Sequence, residues 1–254
     1  MIALVLAELR ARRRSLAGMS LGCFVALIAL VSTYTAFGGE TGVARSFGAA
    51  GISKVLGAFS GSASVDVSRP AGYLGFCFTH PIVQGLLIGA AVSSGASAVA
   101  ADVESGRAEM LYTAPVSRTT ILGARLIGWL LSQATIVTFA LGGALLGSRL
   151  SSGLAGVSPL VPLRVAVQFS SLIFFLGTAA FAASARARTR GVALGAAIGV
   201  AAASYVANMV ALLWSPAGFL RHFNPFGYYN AAAAADHINW PDFGLSSSAS
   251  GSCC

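Results

Sequence analysis

The chain of 254 residues carries a formal charge of +8, with 56% hydrophobic residues, 9% charged residues and a mean hydropathy of +0.78. An ordinary globular chain is about 25% charged, and a soluble fold of this size needs more charge to cover its surface. The composition excludes a soluble enzyme, a disordered tail and a disulfide scaffold, and leaves an integral membrane protein.

Residues 2–14 (IALVLAELRARRR) come first and read as an amphipathic helix. Ile2, Val5, Leu6 and Leu9 recur at helical spacing, and Glu8 stands one turn before Arg12. Such a helix is expected in the membrane interface, with Arg10, Arg12 and Arg13 at the lipid phosphates. It doubles as a topology signal for the apolar run behind it. That run is longer than the roughly 7–15 residues of a secretion-signal core, so it reads as a span and not as a cleaved leader. The Leu21-Gly22-Cys23 triplet lies too early in the run for a lipoprotein cleavage site.

A bilayer is crossed by about 20 apolar residues in a helix. Five stretches qualify, roughly 16–37, 74–101, 126–148, 163–184 and 191–214. The expected fold is therefore an all-α polytopic transmembrane helix bundle with five spans and an N-terminal interfacial amphipathic helix. With the N-terminus inside, one side holds Arg10, Arg12, Arg13, Arg14, Arg107, Arg118, Arg125, Arg186, Arg188 and Arg190. The other holds Arg45, Lys54, Arg69, Arg149, Arg164 and Arg221. Basic loops mark the cytoplasm, so the N-terminus is expected there. The same rule explains the positive charge through anionic lipid and not through nucleic acid.

Residues 38–70 form a Gly/Ser-rich outer loop in which a short helix over 43–58 is expected. His80 precedes Pro81 early in the second span and reads as structural, since a proline there kinks the helix. Gln133 and Asn208 are expected to hydrogen-bond between helices. Ser132, Thr135 and Thr138 either line a path or bond their own helix. Glycine pairs at four-residue spacing (Gly18/Gly22, Gly85/Gly89, Gly143/Gly147, Gly191/Gly195, Gly195/Gly199) speak for close helix packing. The four cysteines, Cys23, Cys77, Cys253 and Cys254, have no spacing that suggests a disulfide framework or a metal site.

Intramembrane acids, the usual sign of a proton- or ion-coupled carrier, are missing from the spans. No Gly-Lys pair exists for a nucleotide-binding loop, and the elbow of a serine hydrolase and the His-Glu-x-x-His zinc motif are absent. No catalytic residue is assigned.

The informative segment is 102–118, DVESGRAEMLYTAPVSR, which holds Asp102, Glu104 and Glu109 of the eight acids. Gly106 is expected to break the second span as it leaves the membrane. A short helix over 109–113 then ends at Pro115, because the residue before proline avoids the helical region. Ser117 is expected to cap the helix that runs into the third span. A short charged helix along the membrane is suited to receive a push from a soluble partner.

The run Glu104-x-Gly106-x-x-Glu109-x-Leu111-x-x-x-Pro115-Val116-Ser117-Arg118 resembles the cytoplasmic loop of ABC-2 type transporter permeases. The likeness extends more loosely over residues 1–230, a transmembrane domain, and leaves 231–254 as an outer segment and Ser-rich tail. It implies the permease subunit of a bacterial ABC exporter in the cytoplasmic membrane, moving a lipophilic or drug-like substrate. It implies two permease protomers, homo- or heterodimeric, and separate ATP-binding subunits that hold the ATP and magnesium; this chain needs no cofactor of its own. Glu104, Gly106, Glu109, Leu111, Pro115 and Arg118 would then lie at the docking surface, with the helix of Glu8, Arg10, Arg12 and Arg13 beside it. The family pattern expects six spans, with short re-entrant helices before the sixth. Residues 216–240 suit that outer segment, with Phe219, Phe223, Phe226, Tyr228, Tyr229 and Trp240 as an aromatic belt. The Ser/Gly tail has no apolar run, so the sixth span is expected to be lost or supplied by a partner. The reading from another class is a non-transporting membrane scaffold that interacts through loop 38–70.

Overall fold

The computed structural model describes residues 1–47, 55, 57–58, 67–107 and 117–229. Its helices, in chain order, are α1 (Ile2–Ala36), α2 (Gly39–Phe47), α3 (Pro70–Thr79), α4 (Pro81–Ala96), α5 (Ala100–Glu104), α6 (Arg118–Leu150), α7 (Leu160–Ser184) and α8 (Arg190–Leu213). Two 3-10 helices follow, Ser215–Phe223 and Pro225–Tyr228. Four helices, α1, α6, α7 and α8, are long and apolar enough to cross a membrane, and the bent pair α3–α4 is long and apolar enough for a fifth crossing if its two halves form one span. The described chain is an all-α polytopic bundle.

The second crossing breaks where the sequence places a proline. α3 and α4 meet at 46° around His80-Pro81. Pro81 has no N–H to give, and the His80 Nδ1 accepts from the Ile82 N–H at 3.4 Å. The His80 ring edge also rests on Phe76 at 5.7 Å between centroids. These contacts account for His80 as a hinge residue.

The first helix differs from expectation. Residues 2–14 are helical, but they continue into the first span without a break, making one helix of 35 residues. At about 1.5 Å per residue it is about 50 Å long, well beyond a hydrocarbon layer of about 30 Å. Nothing between Arg14 and Leu16 interrupts a helix, so its first turns belong to the same helix as the span instead of forming a separate one. Their inward face is also not the apolar one: Val5 and Glu8 are buried, while Ile2 and Leu6 are exposed. In the segment after α1 a helix starts earlier than expected, at Gly39, and is described to Phe47; residues 48–54 and 56 of the expected 43–58 helix lie outside the described residues.

Packing pairs helices that are not neighbours in sequence. α1 lies along α6, and α4 lies along α7, each pair running parallel because an intervening segment carries the chain back. The buried positions of α1, Ser20, Cys23, Leu27, Val31 and Tyr34, recur every three to four residues and form one stripe. They meet the matching stripe of α6, including Gly128, Ser132, Ile136, Ala140, Gly143 and Gly147. The Gly143/Gly147 pair makes this contact possible. A Cβ at Gly143 would strike the Phe24 carbonyl oxygen, and one at Gly147 would lie 3.0 Å from the Val31 Cβ. In the second pair the close approach is at Gly95, whose Cβ would lie 2.5 Å from the Gly177 carbonyl oxygen. At the other glycine pairs singled out in the sequence, an added Cβ would have no heavy atom within 4 Å, so they serve no contact within the described chain.

Trp129 joins the two pairs. From α6 it donates Nε1–H to the Ala91 carbonyl at 3.3 Å, and its ring stands edge-on to Phe174 at 6.0 Å. Gln133, one turn on, donates from Nε2 to the Ser94 hydroxyl at 2.9 Å. Asn208 is buried on α8, but its side-chain oxygen has no hydrogen-bond partner among the described residues. Ser132, Thr135 and Thr138 each donate to the carbonyl four residues back, all at 2.8 Å. At the far end, Tyr34 donates to the Ser68 carbonyl at 2.9 Å and Thr35 bonds Ser151. The 3-10 segment packs back on α8 through Asn224, whose Nδ2 donates to the Ser204 carbonyl at 2.5 Å. Phe226 and Tyr229, expected in an aromatic belt, are core residues instead, packed on Tyr205 and Phe169. Phe219, Phe223 and Tyr228 remain exposed, as a belt requires, and Trp240 lies outside the described residues.

Replacing Gly143 by Ala should destabilise the bundle by about 1–3 kcal/mol, because a backbone oxygen cannot step aside for the new methyl. Gly195→Ala, facing open space, is expected to be neutral or slightly stabilising. Thermal unfolding of the two variants in detergent checks the difference.

Candidate functional site

The arginine-rich end of the bundle gathers the start of α1, the end of α4, α5, the start of α6, the end of α7 and the start of α8. The chain leaves α4 and turns at once into the five-residue α5, which is too short to hold itself. Its cap Val99 has no acceptor side chain, so its first amides are satisfied from outside. The buried Ser184 hydroxyl, at the last residue of α7, accepts from the Val99 N–H at 3.0 Å and the Ala100 N–H at 2.8 Å. α5 ends two residues before Gly106, whose φ of +72° is the left-handed conformation that glycine adopts without strain. The second span itself ends earlier than expected, at Ala96, and Gly106 ends the short α5 that follows it.

α5 carries two carboxylates, and both bond to other helices. Asp102 pairs with Arg125 of α6 and, at 3.3 Å, with Arg107. Arg125 pairs in turn with Glu8 of α1, and Glu8 also holds Arg12 at 2.5 Å one turn along its own helix. The charges alternate as Arg12, Glu8, Arg125, Asp102 and Arg107. Glu8 and Asp102 are nearly buried, with side chains 10% and 13% exposed, whereas Arg107 is 63% exposed. Buried carboxylates at this depth need such partners, since an unpaired one costs several kcal/mol. Gly128 makes room for the arrangement, because a Cβ there would lie 3.0 Å from the Glu8 Cγ.

Glu104, the second carboxylate, reaches α8. Its Oε2 accepts from the Arg190 N–H at 2.9 Å, while the Thr189 hydroxyl accepts from the Val192 N–H at 3.4 Å. A carboxylate at a helix N-terminus satisfies an orphan donor and matches the helix dipole. Arg12 does the converse at the end of α4, donating from Nη1 to the Ser94 carbonyl at 3.1 Å. The α5 segment is thereby tied to α1, α6, α7 and α8 together.

Of the residues singled out in the sequence, the structure brings Glu8, Arg12, Glu104 and Gly106 to this end, near one another. Arg10 and Arg13 lie on the exposed side of α1, and Arg118 is the exposed first residue of α6. Ser117 caps α6 as expected, its hydroxyl accepting from the Thr120 N–H at 3.2 Å. Glu109, Leu111 and Pro115, with the short helix expected over 109–113, lie outside the described residues. Sequence reasoning did not single out Arg125, Ser184 or Ser94 as site residues. The signal that could have found Arg125 is charge: Glu8 is the lone acid of α1, and Asp102 and Arg125 flank the same loop with opposite signs.

Arg125→Gln should leave two nearly buried carboxylates short of a partner and cost about 3–5 kcal/mol. Arg107→Gln removes an exposed partner and should cost less than about 1 kcal/mol. Thermal unfolding of the two purified variants measures both.

A family model described as ABC-2 family transporter protein matches residues 2–235. No curated protein matches the chain, and no solved structure does. The family match covers nearly all of the sequence, including every described helix, so the chain belongs to the ABC-2 transporter family.

Proposed function

We propose that this membrane permease works as an exporter, energised by separate ATP-binding subunits that bind at the 102–118 loop. Membership in the family makes the chain the membrane component of an ABC transporter, associated with an ATP-binding subunit. The finer reading is that a second permease protomer completes the path, that the ATP and magnesium reside in the partner subunits, and that the cargo is lipophilic or drug-like. The N-terminus and the arginine-rich end face the cytoplasm of a bacterial cell, in keeping with the bias of basic residues to that side.

One observation carries the coupling assignment. The segment leading into the loop is bonded to four different helices, through Ser184, Arg125, Glu8 by way of Arg125, and the Arg190 amide. A displacement of the loop by a docked subunit would be delivered to all of them at once. Gly106 lets the chain turn outward at that point, and Glu109, Leu111, Pro115 and Arg118 belong to the stretch that meets the partner. Asp102 and Glu104, bonded to α6 and α8, transmit, while the residues beyond Gly106 receive.

Charge reversal at Glu109 together with Glu104 should lower transport at least tenfold in cells that also express the ATP-binding subunit, without loss of membrane insertion. Glu109→Arg alone separates docking from the cap that Glu104 supplies to α8, and it should reduce co-purification of the ATP-binding subunit. Unchanged transport and co-purification in the double variant would overturn the docking role.

A further inference from the structure

A second feature of the arginine-rich end adjoins the ion-pair chain and shares Arg12 with it. Between α1, α4 and α6 lies an open cleft of about 260 Å³ with a graded lining. Arg12 and Arg190 stand at its mouth. Ser93, Ser132 and Gln133 form its polar wall, and Met19 and Ile136 line the deeper end toward the middle of the bundle. We infer that this cleft binds the headgroup of an anionic, hydroxyl-bearing phospholipid from the leaflet on the arginine-rich side, with the phosphate between Arg12 and Arg190.

Charge argues first. Glu8 is shared between Arg12 and Arg125, and Arg190 has no carboxylate paired to its guanidinium among the described residues. The nearby Glu104 is engaged with the Arg190 backbone N–H. The mouth is therefore left with a positive surplus, which favours a phosphate over a zwitterionic headgroup. Arg12 is already positioned by Glu8 and by the Ser94 carbonyl, so little side-chain freedom is lost on binding.

The wall argues for hydroxyls. Ser93 and Ser132 donate their protons to the carbonyls of Ala90 and Gly128 within their own helices, at 3.4 and 2.8 Å. Both residues line the cleft, and oxygens whose protons are engaged in this way are left as acceptors, which suits the hydroxyl protons of a glycerol headgroup. Ser132 and Gln133 are 5% and 1% exposed, polar groups placed at a depth where apolar side chains would pack at lower cost. The apolar end beyond them accepts the start of an acyl chain. The cleft is too small for a whole lipid, and its open side lets the chains run into the bilayer.

The test is native mass spectrometry of the full chain in detergent, titrated with dioleoyl phosphatidylglycerol or dioleoyl phosphatidylcholine. A phosphatidylglycerol adduct should survive activation that strips phosphatidylcholine. Arg190→Gln, which keeps the backbone N–H bonded to Glu104, should weaken that adduct about fivefold. Ser93→Met, which fills the cleft and leaves every charge in place, should remove it. Both variants should unfold at the wild-type temperature. Equal retention of the two lipids, or wild-type adducts in both variants, would overturn the inference. So would displacement of the lipid by millimolar inorganic phosphate, which would make the cleft a free-anion site.

Discussion

Arg125 sits between two carboxylates that the rest of the bundle has hidden from water. Glu8 comes from the first helix and Asp102 from the turn after the second crossing, and neither has enough partners without it. Desolvation of a carboxylate is costly, and attraction at short range recovers that cost only when the geometry closes. The start of α1, the α5 turn and the start of α6 are therefore held in one arrangement. The first turns of α1, continuous with the span, are held against α6 by this charge pair, while the apolar Ile2 and Leu6 stay exposed.

The same constraint links stability to work. A loop that receives force is useful only if its base is stiff, and α5 is too short to be stiff by its own hydrogen bonds. Its rigidity comes from side chains of other helices and one backbone amide: the Ser184 hydroxyl at one end, Arg125 in the middle and the Arg190 N–H at the other. The Ser184 and Arg125 bonds are directional and lie at buried or nearly buried positions, where competition from water is weak, while the Arg190 bond is exposed. Gly106 then marks the end of the tied segment.

Away from this end, packing is governed by how closely backbones approach. α1 meets α6 at Gly143 and Gly147, and α4 meets α7 at Gly95 and Gly177. Trp129 fills the space between the two pairs and gives its single N–H to the Ala91 carbonyl. In lipid there is little hydrophobic gain from bringing apolar helices together, so close contact and interhelical hydrogen bonds must supply it. Gln133 on Ser94 is one such bond. α8 takes little part in either pair, with only Ala193, Asn208 and Ala211 buried along it.

Much of the fold is legible in the amino-acid sequence by itself. Span positions follow from apolar length, the kink from Pro81, the turn from Gly106, the α6 cap from Ser117 and the expected sidedness from arginine. Each depends on the residue and its near neighbours along the chain. The Glu8–Arg12 pair is legible for the same reason, one turn apart on one helix. The partner of Glu8 on α6 is 117 positions away, and the opposite signs of Asp102 and Arg125 across one loop hint at Arg125 without pairing it to Glu8. Likewise four-residue glycine spacing recurs along the chain, and of the pairs singled out only Gly143/Gly147 meets another helix within the described residues. Hydropathy and local hydrogen bonding determine where a membrane chain is helical and how deep each residue lies. Which faces meet, and so which charges are paired and which glycines matter, is decided only when non-neighbouring helices come into contact.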